Sequence, residues 1–184
     1  MNKYLILPGY RGSESHHWQT IWQNTHLLNS ERLVLPDYTN TSRESWVIPL
    51  LKKLSNSDHN YIVVAHSLGC LAFMHTYSKY VIRNVSAALL VAPPDVEENS
   101  NAMFLEEFAP IPEFELDIPS LVVASNDDWY CSVERAKHFA AKWNSNFENV
   151  GNKGHINASS GLGHWHEGLD LLSGLLKQKQ KLVA

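Results

Sequence analysis

Tyr61-Ile-Val-Val-Ala-His-Ser-Leu-Gly-Cys70 is the stretch whose reading decides the fold. It opens as a β-branched apolar run, the kind of segment that becomes a buried parallel strand. Ala65-His66-Ser67-Leu68-Gly69 interrupts the run, and Leu71-Ala72-Phe73-Met74 continue with helical composition. Strand, sharp turn with small residues on both sides of a serine, then helix: this is the layout of a nucleophile elbow, G-x-S-x-G, with alanine in place of the first glycine. Small residues two before and two after the serine let strand and helix close round a strained turn. Ala65 meets that need with less room than glycine. A serine that only caps a helix is the bland alternative, and the strand before it and helix after it favour the nucleophile. Ser67 is the candidate.

Outward from this stretch the chain alternates. Lys3 to Leu7 is an apolar run stopped by Pro8-Gly9, and 16–25 carries Trp18, Ile21, Trp22 and Thr25 at helical spacing. Glu31 to Leu35 reads as a second strand, and Arg43 to Leu54 as a helix with a restart or kink at Pro49. After Tyr61 to Ala65 and the helix Leu68 to Tyr80, Val85 to Ala92 is a nearly all-apolar strand ended by Pro93-Pro94. Asp95 to Asp117 is acidic, with three phenylalanines and no clean period, and reads as a long loop or a small lid. Ser120 to Ala124 is a fifth strand, Ser132 to Trp143 a helix, Asn146 to Val150 a sixth strand, and 151–163 a glycine-rich loop. A last helix is expected from about Trp165 to Gln178, closed by a lysine-rich tail that suits a helix C-terminus. Six strands alternating with helices predict one α/β domain over 1–184, with helices on both faces of a mainly parallel sheet. Ligands of such sheets bind beyond the carboxyl ends of the strands.

Composition narrows the function classes. The 184 residues carry a net charge of −4 and an apolar fraction of 44%, without the basic face that nucleic acid demands. Tyr4 to Leu7 is far too short for a signal h-region, and no run approaches a membrane span. Cys70 and Cys131 lack any zinc spacing and read as reduced thiols. The expectation is a soluble cytoplasmic protein that needs no cofactor or metal and engages neither nucleic acid nor membrane.

A serine hydroxyl needs a base within hydrogen-bond reach, the base needs an orienting acid, and the developing oxyanion needs donors. The Leu68 N–H, at the start of a helix, is one candidate donor, and the Tyr10 N–H in the loop after the first strand is the other. For the acid, Asp128 is favoured over its neighbour Asp127, taken as a solvated turn residue, and over Asp95 after the fourth strand. Chain order places the base after the acid. Among ten histidines, Gly154-His155 lies in the right loop, with His164 and His166 as rivals that also suggest a metal pair without a third ligand. His66 is read as a hydrogen-bonded histidine under the site. His16, His17 and Trp18 either line the pocket or cap and pack the helix. Phe104, Phe108, Trp129 and Trp165 either line an apolar pocket or belong to the core.

With these residues in place the chain resembles the α/β-hydrolases, and more narrowly the small serine hydrolases of the retinoblastoma-binding protein 9 / YdeN-like family. The resemblance spans the chain. It rests on Pro8-Gly9 with His17-Trp18, on Ala65 to Gly69, on Ser125-Asn126-Asp127-Asp128, and on Gly154-His155 with Ser160-Gly161-Leu162-Gly163. The family's triad falls on Ser67, Asp128 and His155. The chain departs from common patterns at Ala65 and at Trp129, where relatives often carry proline. The resemblance implies a compact α/β-hydrolase fold with strand order 2-1-3-4-5-6. It also implies a serine hydrolase acting on a small-molecule ester-type substrate, thioester or amide included, through an acyl-enzyme. Tyr10, Leu68, His17, Trp18 and Trp129 would surround the substrate. The alternative is an interaction module on a hydrolase fold, with the acidic 95–117 stretch as its contact surface.

Overall fold

A computed structural model describes residues 2–182. Its elements run β1 (Asn2–Leu7), α1 (Trp18–Thr25), β2 (Ser30–Arg32), α2 (Arg43–Ser55), β3 (Asn60–His66), α3 (Leu68–Lys79) and β4 (Val85–Val91). A 3-10 segment (Ser100–Phe108), β5 (Ser120–Ala124), α4 (Val133–Lys142), β6 (Asn146–Asn149), a short 3-10 turn (Ala158–Ser160) and α5 (His166–Leu182) complete them. The strands pair in the order β2-β1-β3-β4-β5-β6, and every pair is parallel. The fold is the expected α/β sheet, without an antiparallel strand among the described residues.

Strand side chains alternate between faces, which explains why β3 and β4 are apolar throughout. Leu5, Leu7, Tyr61, Val63, Ala65, Ala88 and Leu90 pack against Trp46, Phe73, Phe139 and Trp143 of α2, α3 and α4 or their caps. Ile62, Val64, Ala87, Leu89 and Val91 pack on the other side against Trp18, Trp22, Trp165, Leu172 and Leu175. No described helix is long and apolar enough to cross a membrane.

Several boundaries differ from the sequence reading. β2 ends at Arg32 rather than Leu35, because its partner β1 runs out. The Leu33 N–H still reaches Ile6 O at 2.9 Å, but Pro8-Gly9 then turns the neighbouring chain away. Leu33 and Leu35 stay buried and Val34 is exposed, so the apolar alternation outlasts the ladder. α2 passes through Pro49 as one helix, with no restart. The last helix begins at His166, since Trp165 adopts φ +40° and lies outside it. The Trp165 ring lies so close to Gly168 that a Cβ there would come within 2.4 Å. The lysine-rich tail falls partly beyond Lys177, where the side chains lie outside the described residues. The 95–117 segment contributes Leu105, Phe108, Ile111 and Leu116 to the core.

The tightest approach of a glycine to another segment's backbone is at the elbow. A Cβ on Gly69 would stand 2.6 Å from Leu7 O and 2.7 Å from Pro8 O, both backbone atoms that cannot swing aside. Gly69→Ala is expected to cost about 1–3 kcal/mol through this overpacking. A melting temperature equal to that of the wild type would show that α3 does not press on β1 this closely.

Candidate active site

β3 delivers Ser67 at its carboxyl end with φ +52° and ψ −124°, a backbone conformation that non-glycine residues rarely hold. The turn is held from both sides: Ser67 N–H donates to Val91 O at 2.9 Å, and Cys70 N–H to Ser67 O at 2.9 Å. Ser67 makes no side-chain cap bond to α3, so its hydroxyl is free for other work. His155, from the loop after β6, places Nε2 at 2.8 Å from Ser67 Oγ. Its Nδ1 lies 2.9 Å from both carboxylate oxygens of Asp128, in the loop after β5. A carboxylate accepts, so Nδ1 carries the proton, and Nε2 is left to accept the Ser67 Oγ–H. Asp128 Oδ1 also accepts the Tyr130 N–H at 2.9 Å, and its side chain is only 2% exposed.

The rivals for these places are engaged elsewhere. Asp95 is clamped by Arg135, with Nε at 2.8 Å, and accepts the Glu97 and Glu98 N–H groups. Asp127 is exposed but not merely solvated. Its Oδ1 accepts Ser125 Oγ–H at 2.8 Å and Gly154 N–H at 2.7 Å, bonds that hold its carboxyl below the usual range and pin the loop next to His155. His164 and His166 gather with His26 at the start of α5, where His26 Nε2 meets His164 Nδ1 at 2.9 Å. Among the described residues no group of histidine, cysteine, aspartate or glutamate is arranged to hold a metal.

A cavity of about 730 Å³ opens over Ser67, lined by Tyr10, His17, Phe104, Leu105, Tyr130 and His155 among others. Gly9 lets the β1 loop reach the serine, since a Cβ there would come within 2.8 Å of Ser67 Cβ. The Leu68 and Tyr10 N–H groups, at the start of α3 and in this loop, have no protein acceptor among the described residues. Two expected pocket residues are placed otherwise. Trp18 is 1% exposed and belongs to the core, where its Nε1–H donates to Ile156 O at 2.8 Å and so ties down the residue after His155. Trp129 is 74% exposed and absent from the cavity wall, and its backbone carbonyl accepts from the Asn99 and Asn101 side-chain amides. Phe108 and Trp165 are likewise core, while Phe104 does line the cavity.

The sequence reading missed two contributors. Tyr130 stands edge-on to His155 at 4.7 Å and walls the cavity; its place two residues after Asp128 was the available signal. Gln19 is fully buried, and its side-chain amide donates to Leu7 O and Val64 O, both at 3.0 Å. It fastens the ends of β1 and β3 together just below the elbow, a task that no local pattern announces.

A family model described as serine hydrolase matches residues 4–174. The chain belongs to the serine hydrolase family. Its YdeN-like character shows in two relatives. The YdeN hydrolase candidate of Bacillus subtilis (strain 168) is 25% identical over 163 residues, 82% of this chain and 84% of that one. A YdeN-like candidate hydrolase from Pectobacterium atrosepticum is 29% identical, with a TM-score of 0.86 over 97% of this chain and 92% of that chain. A lipase-esterase related protein from Clostridium acetobutylicum, 12% identical, has a TM-score of 0.73 over 95% of this chain and 94% of its own, and shares the fold.

Beside Ser67 lie two more imidazoles, His66 and His17, both buried. Burial, followed by the charges of neighbouring groups, lowers His17 to about 3 and drives His66 well below the usual histidine range. Folded, both rings stay neutral where the unfolded chain takes up protons below about pH 6.5. The unfolded state therefore binds more protons there, and stability falls as pH falls. Each ring is expected to remove on the order of 1 kcal/mol per pH unit below pH 6. Denaturant midpoints measured at pH 7, 6 and 5 check this, and equal midpoints would contradict it.

Proposed function

We propose that this serine hydrolase cleaves carboxylic esters of small substrates through a Ser67–His155–Asp128 triad. The observation that carries the reading is the unbroken hydrogen-bonded line from Ser67 Oγ through His155 to Asp128, at 2.8 and 2.9 Å. Ser67 Oγ attacks the ester carbonyl carbon as its proton passes to His155 Nε2. The Leu68 and Tyr10 N–H groups face the negative oxygen of the tetrahedral intermediate, and Asp128 stabilises the imidazolium. Collapse breaks the bond to the alcohol, which leaves with the proton from His155. Water then attacks the acyl-enzyme with His155 again as base, and the acid departs. Tyr10, Pro94, Phe104 and Leu105 give the cavity an apolar side suited to a short acyl chain, and thioesters or amides would be handled by the same steps. No step requires a cofactor or metal.

The purified protein is expected to release nitrophenol from short p-nitrophenyl esters with an initial burst of one equivalent or less. A fluorophosphonate should add covalently to Ser67, read by peptide mass. A protein that neither turns over any ester nor takes up the probe would overturn the reading in favour of an interaction module.

A further inference from the structure

His66 closes β3 one residue before the nucleophile, yet no step above uses it. Its buried ring places Nε2 at 2.9 Å from His155 O. A carbonyl only accepts, so this neutral imidazole carries its proton on Nε2 and donates it to the backbone of the base. No backbone N–H shares that carbonyl among the described residues. The Nδ1 edge of the ring faces the β1 loop, where a Cβ on Gly9 would come within 3.3 Å of it. The ring is thus wedged between the loop that carries the Tyr10 N–H and the loop that carries His155.

The His155 loop needs holding. Gly154 adopts φ +54° and Ile156 φ +49° on either side of the base. For a β-branched residue this left-handed region is an outlier, and it persists only where the surroundings impose it. Two buried side-chain donors catch consecutive carbonyls of the strained segment. His66 Nε2–H takes His155 O, and Trp18 Nε1–H takes Ile156 O at 2.8 Å. The elbow therefore meets the base at two points: Ser67 Oγ faces its imidazole at 2.8 Å, and the residue before Ser67 grips its main chain.

We propose that His66 is a positioning residue for ester cleavage: it anchors the main chain of His155 to the elbow and so sets the distance between nucleophile and base. Without that tie the separation would depend on a path of 88 residues through β4, β5 and β6. A misplacement of about 1 Å between reacting groups costs on the order of 10²-fold in rate. His66 itself touches no reacting atom in this role, and its effect passes entirely through His155. The inference rests on the Ser67–His155–Asp128 reading of the site.

Two variants of similar shape separate the donor from the bulk of the ring. His66→Met removes the N–H, and His66→Gln keeps an amide N–H near the Nε2 position. In His66→Met, kcat is expected to fall on the order of 10²-fold with KM little changed, and by the same factor for the acetate, butyrate and hexanoate esters of p-nitrophenol. Fluorophosphonate labelling should slow in step, and His66→Gln should recover most of both losses. A folded His66→Met variant with wild-type kcat would make the bond merely structural. A loss that changes with acyl length would make His66 a substrate contact. Either result overturns the proposal, as does a His66→Gln variant no better than His66→Met. Proton and nitrogen NMR of histidine-labelled protein needs no turnover. The His155 Nδ1–H resonance, far downfield through its bond to Asp128, should move upfield in His66→Met and return in His66→Gln. In the wild type the nitrogen shifts of His66 should show the proton on Nε2. A proton on Nδ1 would overturn the proposal even if neither variant folds. A wild type inert toward every ester and the probe refutes the triad reading instead, while the resonances still decide whether His66 holds His155.

Discussion

Ser67→Ala is expected to lower kcat for short p-nitrophenyl esters by about 10⁴-fold or more and to abolish fluorophosphonate labelling. The methyl group leaves His155 Nε2 with no hydroxyl proton to take and the carbonyl with no nucleophile. Catalysis left over would come from the Leu68 and Tyr10 N–H groups and from binding alone. The control is built into the site. Ser67 makes no side-chain cap bond, so the substitution removes only the contact with His155 and should change stability by no more than about 0.5 kcal/mol. Undiminished turnover in a folded variant would remove Ser67 from the mechanism.

Asp128→Asn is expected to lower kcat by about 10⁴-fold with little change in KM. An asparagine amide turned toward His155 donates to Nδ1, which moves the ring proton to Nε2. The ring then donates to Ser67 Oγ instead of accepting from it. The two other aspartates give contrasting outcomes. Asp127→Asn keeps an oxygen for Ser125 and Gly154, and activity should stay within a few-fold. Asp95→Asn breaks the carboxylate's pairing with Arg135, so its effect should fall on the melting temperature and not on kcat. A loss of comparable size in either of these, with Asp128→Asn unimpaired, would reassign the acid.

Much of the architecture was legible because it repeats a local rule. Apolar runs ended by Pro8-Gly9, Pro36 and Pro93-Pro94, or by the turn residues after Ala65 and Ala124, marked the first five strands, and β5 fell on the expected residues, Ser120 to Ala124. Boundaries failed where a neighbouring segment decided them. β2 stops when β1 does, and Trp165 leaves the helix to reach the tryptophans of α1, at 4.9 Å from Trp18 and 5.6 Å from Trp22. Composition could not sort the aromatics either. Phe104 and Phe108 lie in one 3-10 segment, yet one lines the cavity and the other is fully buried.

The sequence alone determined the elbow, the order of elements and three chemically suitable side chains at the ends of β3, β5 and β6. Those features follow from local residue type: small residues round a serine, β-branched strands, and polar loops where strands end. Only the tertiary structure decided which aspartate faces His155, since Asp127 and Asp128 are adjacent and differ only in direction. It alone decided that Trp129 faces solvent, and that His17 caps a helix with one nitrogen and leaves the other without an acceptor among the described residues. These are matters of orientation set by distant backbone. Ser67 is no longer only a serine in a suitable turn: its hydroxyl hydrogen-bonds to an imidazole that packing has brought from 88 residues away.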